Sequence, residues 1–304
     1  MTGYLEESIA RLRNIVDNYD EVVNTVINLR DLLIFEYNLM NRRLVHLREI
    51  SRAIFVGDIH GDLDTLIELL RILDIDNELR RGTYLVFLGD YIDRGPYQLE
   101  VIMFLAILKS IWRDRIVMLR GNHEPPEWLP PSPHDFPEIL MERFGYRKGL
   151  EIYETMKTIF DLLPLALYIP RKVLAVHGGP PISRVLRYDD INDIFSIEND
   201  KEAIEEILWS DPIDEDIEYV YSYRGAGKLW GRKITMLTLQ KLGIELIIRG
   251  HEPSYEGYKF NHDNRVLTIF SMKGFYGNMG AACLRIDFDD KEWFKNIAKN
   301  IITI

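Results

Sequence analysis

The feature that most constrains the fold is a repeated change of character along the chain. Short apolar runs rich in β-branched residues stop abruptly at clusters of Gly, Asp, Asn or His. Residues 53–56 stop at Gly57-Asp58, and 84–88 at Gly89-Asp90. Residues 116–119 lead to Gly121-Asn122-His123, 173–176 to His177-Gly178, and 246–248 to Arg249-Gly250-His251. Uniformly apolar runs of this length fit strands buried on both faces. Residues 266–270 and 282–286 read as two more strands. Helical spacing fills the gaps over 64–73, 98–112, 138–144 and 149–163. Strand, loop and helix in alternation predict an α/β layered fold, and polar residues at strand ends are where such folds build sites.

Residues 5–49 carry the three-and-four apolar spacing of helices, with a break expected at Asn18-Tyr19-Asp20. They read as an N-terminal helical segment, residues 1–50, packed on a catalytic domain over 51–304. The prolines at 125, 126, 130, 131, 133 and 137 mark a stiff loop directly after a strand end, not a domain boundary. In that loop Trp128, His134 and Phe136 are candidates for a lip over a site.

Cys283 is the single cysteine, so no disulfide forms within the chain. The N-terminus lacks the basic start and apolar core of a signal peptide, and no apolar run reaches the length of a membrane span. A cytoplasmic protein without a membrane partner is the expectation. The net charge of −11 argues against a nucleic-acid partner, which needs a basic face. It leaves room for a small phosphate ligand, because cations and a few arginines reverse the sign locally.

Four of the seven histidines stand in the strand-end loops, beside aspartates and an asparagine. Carboxylate, imidazole and amide oxygen suit divalent Mn, Fe or Zn, and the lack of cysteine ligands argues against structural zinc or iron–sulfur. Two ions roughly 3.5–4 Å apart would activate water and clamp a phosphoryl group. Any one of these motifs also fits an ordinary hydrogen-bonded turn. Five in succession, each after an apolar strand, crowd unpaired Asp and His together, at a cost that a cation relieves.

The motifs Gly57-Asp58-Ile59-His60-Gly61, Gly89-Asp90-Tyr91-Ile92-Asp93-Arg94-Gly95 and Gly121-Asn122-His123-Glu124 resemble the three signatures of the phosphoprotein phosphatase family of serine/threonine phosphatases, in a prokaryotic-type version. That family lies within the calcineurin-like metallophosphoesterases. The likeness extends through His177-Gly178-Gly179, Leu208-Trp209-Ser210-Asp211-Pro212, Tyr223-Arg224-Gly225 and Arg249-Gly250-His251, covering about residues 50–290.

The resemblance implies a central β-sandwich of mixed sheets flanked by helices. It implies two divalent ions, manganese first, with iron, zinc, cobalt and nickel as alternatives. Asp58 and His60 would bind one ion, Asp90 would bridge, and Asn122, His177 and His251 would complete the second. His123 would be the general acid, oriented by Asp93. Arg94, Arg224 and Asn122 would bind the substrate phosphate, and Glu124 and Glu252 would be supporting residues. The reaction implied is hydrolysis of phosphoserine or phosphothreonine in proteins, with phosphotyrosine also open, by a metal-bridging hydroxide. A hydrolase of dinucleoside polyphosphates and a non-catalytic phosphoprotein-binding module are the competing readings; the second would have lost ligands or the acid, and none is missing.

One departure stands near the C-terminus. Where many family members carry Ser-Ala-Pro-Asn-Tyr-Cys-Gly, this chain has Ser271-Met272-Lys273-Gly274-Phe275-Tyr276-Gly277. Direct alignment expects Phe275 at the position of the rim tyrosine.

Overall fold

A computed structural model describes residues 3–39 and 43–304. Among them the strands are β1 (Leu44–His46), β2 (Arg52–Val56), β3 (Tyr84–Phe87), β4 (Ile116–Met118), β5 (Ala166–Ile169), β6 (Val173–Val176), β7 (Asp211–Pro212), β8 (Tyr219–Tyr221), β9 (Lys228–Trp230), β10 (Leu246–Arg249), β11 (Tyr258–Asn261), β12 (Val266–Ile269), β13 (Ala282–Asp287) and β14 (Ile301–Thr303). They form a six-stranded sheet ordered β1-β5-β6-β10-β12-β11 and a five-stranded sheet ordered β14-β13-β2-β3-β4. A small three-stranded sheet, β7-β9-β8, is separate from these two.

Side chains alternate across a strand, and here both faces are dry. On β2, Ala53 and Phe55 point into a core between the two large sheets, while Ile54 and Val56 point into a second core under helices. On β3, Val86 joins the first and Leu85 and Phe87 the second. On β10, Leu246 and Ile248 enter the intersheet core and Ile247 the helical core on the opposite side. This explains why the strands read as unbroken apolar runs. The result is four layers: helices, sheet, sheet, helices, the mixed sandwich that the resemblance implied.

The helices Tyr4–Ile15 and Tyr19–Leu39 break where expected, and Asn18 Oδ1 accepts from the amides of Asp20 and Glu21 to start the second. Leu5, Ile9, Leu12, Val22, Val26 and Leu29 enter the same core as helices Leu63–Ile72 and Gln98–Ile111. The expectation of helix through residue 49 is overturned. Leu44–His46 is a strand pairing parallel with β5, in register Leu44 with Ala166. Three residues are too few for a helical period to be told from a strand, and pairing with β5 decides the outcome. Residues 1, 2 and 40–42 of the expected N-terminal segment lie outside the described residues.

The strand and helix expectations after residue 50 hold to within two or three residues at each end. The pattern does not announce β5, β7, β8, β9, β11 or β14. Most are short or carry polar side chains on one face, so tertiary pairing defines them. Among the described residues no helix is long and apolar enough to cross a membrane.

Leu12 is 3% exposed within the shared core. Leu12→Ala is expected to lower stability by about 2–5 kcal/mol, the usual cost of truncating a buried leucine. Urea denaturation should show this as one transition shifted to lower denaturant. A separate early transition would show that the N-terminal helices unfold on their own.

Candidate metal centre

The site begins where β3 and β4 end. Gly89 has φ +106, a conformation that side chains rarely adopt, and a Cβ there would stand 2.4 Å from the Gly121 amide nitrogen. A Cβ on Gly121 would in turn stand 2.2 Å from Asp90 Oδ1. Only glycines allow the two strand ends to approach so closely. Glu124 then ties them: its carboxylate accepts from the amides of Asp90 (2.8 Å), Tyr91 (2.8 Å) and Gly121 (3.0 Å). Arg249, fully buried, performs the equivalent task on the other sheet, donating to Gly178 O, Asp211 Oδ1 and Glu252 Oε2. His60, Asp90, Asp93, Arg94 and His251 all carry positive φ. Non-glycine residues in that region cost on the order of 1–3 kcal/mol each. The rigid sandwich and these buried clamps hold them there.

Asp58, His60, Asp90, Asn122, His177 and His251 converge, all buried. Asp90 directs its two oxygens to different sides: Oδ2 is 3.3 Å from His60 Nε2, and Oδ1 is 3.3 Å from His177 Nε2. Asn122 Oδ1 is 2.9 Å from both His177 Nε2 and His251 Nδ1. Asp58 Oδ1 accepts from the His251 amide at 2.9 Å, and its Oδ2, 3.9 Å from His60 Nε2, has no hydrogen-bond partner among the described residues.

The donor chemistry fits cations. His60 Nδ1–H donates to Ile92 O at 2.8 Å, and His177 Nδ1–H donates to Leu88 O at 2.9 Å. In each neutral ring the Nε2 lone pair is therefore aimed at carboxylate or amide oxygen. Lone pair against lone pair is repulsive unless a proton or a metal ion lies between, and ligating histidines commonly have the other nitrogen fixed in this manner. Ligand atoms about 2.1 Å from one ion stand about 3 Å apart, close to the separations here. Two triads have ligand atoms within 4.8 Å of one another: His60, Asp90 and His123, and Asp90, His177 and His251. Geometry alone thus lets His123 join the first group.

The titration of these residues carries the same crowding. Burial, then repulsion from Asp90, pushes Asp58 up to about 7. Burial and Asp90 push Glu124 up to about 8. Burial disfavours charge on His177, but the Asp90 carboxylate outweighs it and moves the ring up to about 9. Burial lowers His60 to about 4.

Beside this cluster His123 Nδ1–H donates to Asp93 Oδ2 at 2.6 Å. Its Nε2 is 3.4 Å from Arg94 Nη2. Arg94 also donates to Tyr276 Oη and Pro133 O, both at 2.9 Å. Arg224 Nε pairs with Asp211 Oδ2 at 3.2 Å. His123, Arg94, Arg224 and Tyr276 line one cleft of about 520 Å³ together with His60, Asp90, Asn122 and His251 of the cluster.

The structure sorts the residues of the rim that the sequence left open. Tyr276 lines the cleft and bonds Arg94, while Phe275 is half exposed beside it. The segment after it, Asn278-Met279-Gly280, is anchored by the Met279 and Gly280 amides, which donate to Tyr255 O. In the proline-rich loop, Leu129, Pro130, Pro131 and Ser132 line the cleft. Phe136 is fully buried, and Trp128 stacks under Lys201 Nζ. Two contributors have no role readable from sequence: Asp211, which pairs with Arg224 and Arg249, and Tyr153, whose hydroxyl is 2.8 Å from His134 Nε2. Asp211 at least stands inside a motif, whereas nothing in its helix marks Tyr153.

Residues 51–255 match the calcineurin-like phosphoesterase family. The chain is a calcineurin-like phosphoesterase. The phosphoesterase is 32% identical over 265 residues to a protein phosphatase 2A catalytic subunit of Dictyostelium discoideum, covering 86% of this chain and 80% of that protein. It is 36% identical over 242 residues to the serine/threonine-protein phosphatase 4 catalytic subunit of Kluyveromyces lactis, covering 77% and 73%. Its fold is similar to that of a protein serine/threonine phosphatase from Saccharomyces cerevisiae, with TM-score 0.72 and 21% identity over 94% of this chain and 89% of the other. A cold-active protein tyrosine phosphatase shares the fold at TM-score 0.55 and 20% identity, over 81% and 77%.

Metal uptake should depend on pH in a direction fixed by these groups. Below about 7 Asp58 holds a proton, and below about 9 His177 does. A metal must displace both. Calorimetric titration of the metal-free phosphoesterase with Mn²⁺ is expected to show affinity rising with pH across that interval and protons released on binding. Affinity independent of pH would exclude these residues as ligands.

Proposed function

We propose that the protein removes phosphate from phosphoserine and phosphothreonine in protein substrates, using two divalent ions, manganese first, held at the strand-end cluster. The observation that carries this reading is the divergence of the Asp90 carboxylate, one oxygen toward His60 and the other toward His177, beside a cleft walled by two arginines. Asp58, His60 and Asp90 would hold one ion. Asp90, Asn122, His177 and His251 would hold the other. Bound there, the ions supply Lewis acidity toward phosphoryl oxygen and toward water.

The chain's own residues do the rest. Arg94 and Arg224 offer planar guanidinium forks matched to phosphoryl oxygens, with the Asn122 amide as a third donor. Phosphoryl transfer rests mainly on positioning and on stabilising charge at those oxygens. His123 places Nε2 at the cleft and Nδ1–H on Asp93. In the imidazolium form Nε2–H protonates the departing serine or threonine oxygen, and the Asp93 carboxylate steadies the ring and its charge. Burial alone would raise the pKa of Asp93, but the hydrogen bonds from His123 and His134 outweigh it and hold the group below the usual carboxylate range. Asp93 thus remains an acceptor throughout. The proposed setting is the cytoplasm, with phosphoproteins as partners.

His123→Ala is expected to keep two metal ions per chain by elemental analysis. Its kcat should fall on the order of 10²–10⁴-fold with a phosphoserine peptide, the usual range for a general acid. With p-nitrophenyl phosphate, whose leaving group needs little protonation, the loss should be smaller. Loss of an ion on this substitution would make His123 a ligand instead.

Arg94 stands beside His123 Nε2, where the leaving oxygen would lie, whereas Arg224 is held by Asp211. Arg94→Ala is therefore expected to lower kcat, and Arg224→Ala mainly to raise KM. Steady-state kinetics with phosphoserine, phosphothreonine and phosphotyrosine peptides measures both and ranks the substrates. Unchanged constants for Arg224→Ala would make it a structural ion-pair residue.

A further inference from the structure

Asp93 does not serve His123 alone. The same oxygen, Oδ2, receives His123 Nδ1 at 2.6 Å and His134 Nδ1 at 2.8 Å. The other oxygen, Oδ1, accepts from the amides of Asp135 (3.0 Å) and Phe136 (3.1 Å). All but one of the donors on this fully buried carboxylate therefore come from the end of the proline-rich loop. A carboxylate only accepts, so each Nδ1 must carry hydrogen. In neutral His134 the remaining Nε2 bears the lone pair, and the Tyr153 hydroxyl, 2.8 Å away, donates to it. Burial, then the charge of Asp93, raises Tyr153 to about 12, so the hydroxyl keeps its proton.

We propose that His134, held in the Nδ1–H tautomer by Asp93 and seated at its far nitrogen by Tyr153, is a positioning residue for the proton-donating step: by sharing Oδ2 of Asp93 with His123 it sets the carboxylate's orientation and thereby aims His123 Nε2 into the cleft. The inference rests on the reading of His123 as the proton donor. Backbone amides already anchor Oδ1, so the carboxylate could still rock about that anchor. A second imidazole on Oδ2 removes this freedom. Tyr153 is on helix Tyr146–Leu162, which packs against helix Phe136–Phe144, so the chain His123–Asp93–His134–Tyr153 ties the cleft to a rigid helical hairpin. Without the Tyr153 hydroxyl, His134 keeps Nδ1–H toward the carboxylate but loses the partner that fixes the far end of its ring.

The test uses the full chain, metal-loaded, with His134→Ala, His134→Asn and Tyr153→Phe, and His123→Ala alongside. His134→Ala is expected to lower kcat with a phosphoserine peptide by about 10- to 100-fold, the scale of losses from misplacing a reacting group. It should leave KM and metal content near their original values and lose less with p-nitrophenyl phosphate. His134→Asn, whose amide N–H can replace Nδ1–H, should recover most of the loss. Tyr153→Phe should show a smaller loss of the same kind. In ¹⁵N spectra of histidine-labelled protein, His134 should be the Nδ1–H tautomer, the form that Asp93 requires. Equal losses on both substrates, no loss, or no recovery with asparagine would overturn the proposal. If His134→Ala does not fold by thermal melting, Tyr153→Phe decides: unchanged kcat overturns it. If His123→Ala fails to distinguish the two substrates, the acid reading itself falls. If it does distinguish them and the His134 and Tyr153 variants do not, only the positioning role falls.

Discussion

The Asp90 carboxylate lies between two imidazoles, and the surrounding loops are arranged to keep it there against considerable electrostatic and conformational cost. It is buried beside Asp58 and Glu124, and it sits on a backbone with positive φ. Burial raises its pKa, yet the neighbouring histidines, His177 foremost, outweigh burial and keep it well below the ordinary range. A buried anion of this kind persists only with cationic partners around it. The upward shift of His177, driven by Asp90, reflects the same demand for positive charge.

What allows so strained a cluster is the sandwich behind it. β2, β3, β6 and β10 are packed on both faces, so their ends cannot drift, and each delivers a loop to the same edge. Glu124 and Arg249 then bind loops to loops by buried hydrogen bonds. The stability of the core thus offsets the strain of left-handed residues and like charges at the site. Loops with this much fixed geometry suit a reaction governed by positioning rather than by covalent chemistry.

The proline-rich loop links this rigidity to the cleft. Leu129, Pro130, Pro131 and Ser132 wall the opening, and His134, Asp135 and Phe136 grip Asp93. At the rim Tyr276 holds Arg94. Tyr276 thereby presents a tyrosine to the cleft, on a loop whose Met279 and Gly280 amides are tied to Tyr255 O.

The layered fold and the cluster were legible because both rest on local pattern. Strands buried on two faces must be uniformly apolar, and ligands at their ends must interrupt that pattern with Gly, Asp, Asn and His, so residues 53–58, 84–90 and 173–177 announce themselves. The alternation of those runs with helical spacing already implied the layers. Three-residue strands such as Leu44–His46 were not legible, because pairing partners far along the chain define them. Nor were the partners of Asp93. Tyr153 is one residue of an amphipathic helix, and nothing nearby in sequence marks its hydroxyl. The packing of that helix beside the end of the proline-rich loop brings Tyr153 to His134 and His134 to Asp93. Periodicity is a property of neighbours in the chain, whereas a hydrogen bond between residues 41 apart exists only once the layers have closed.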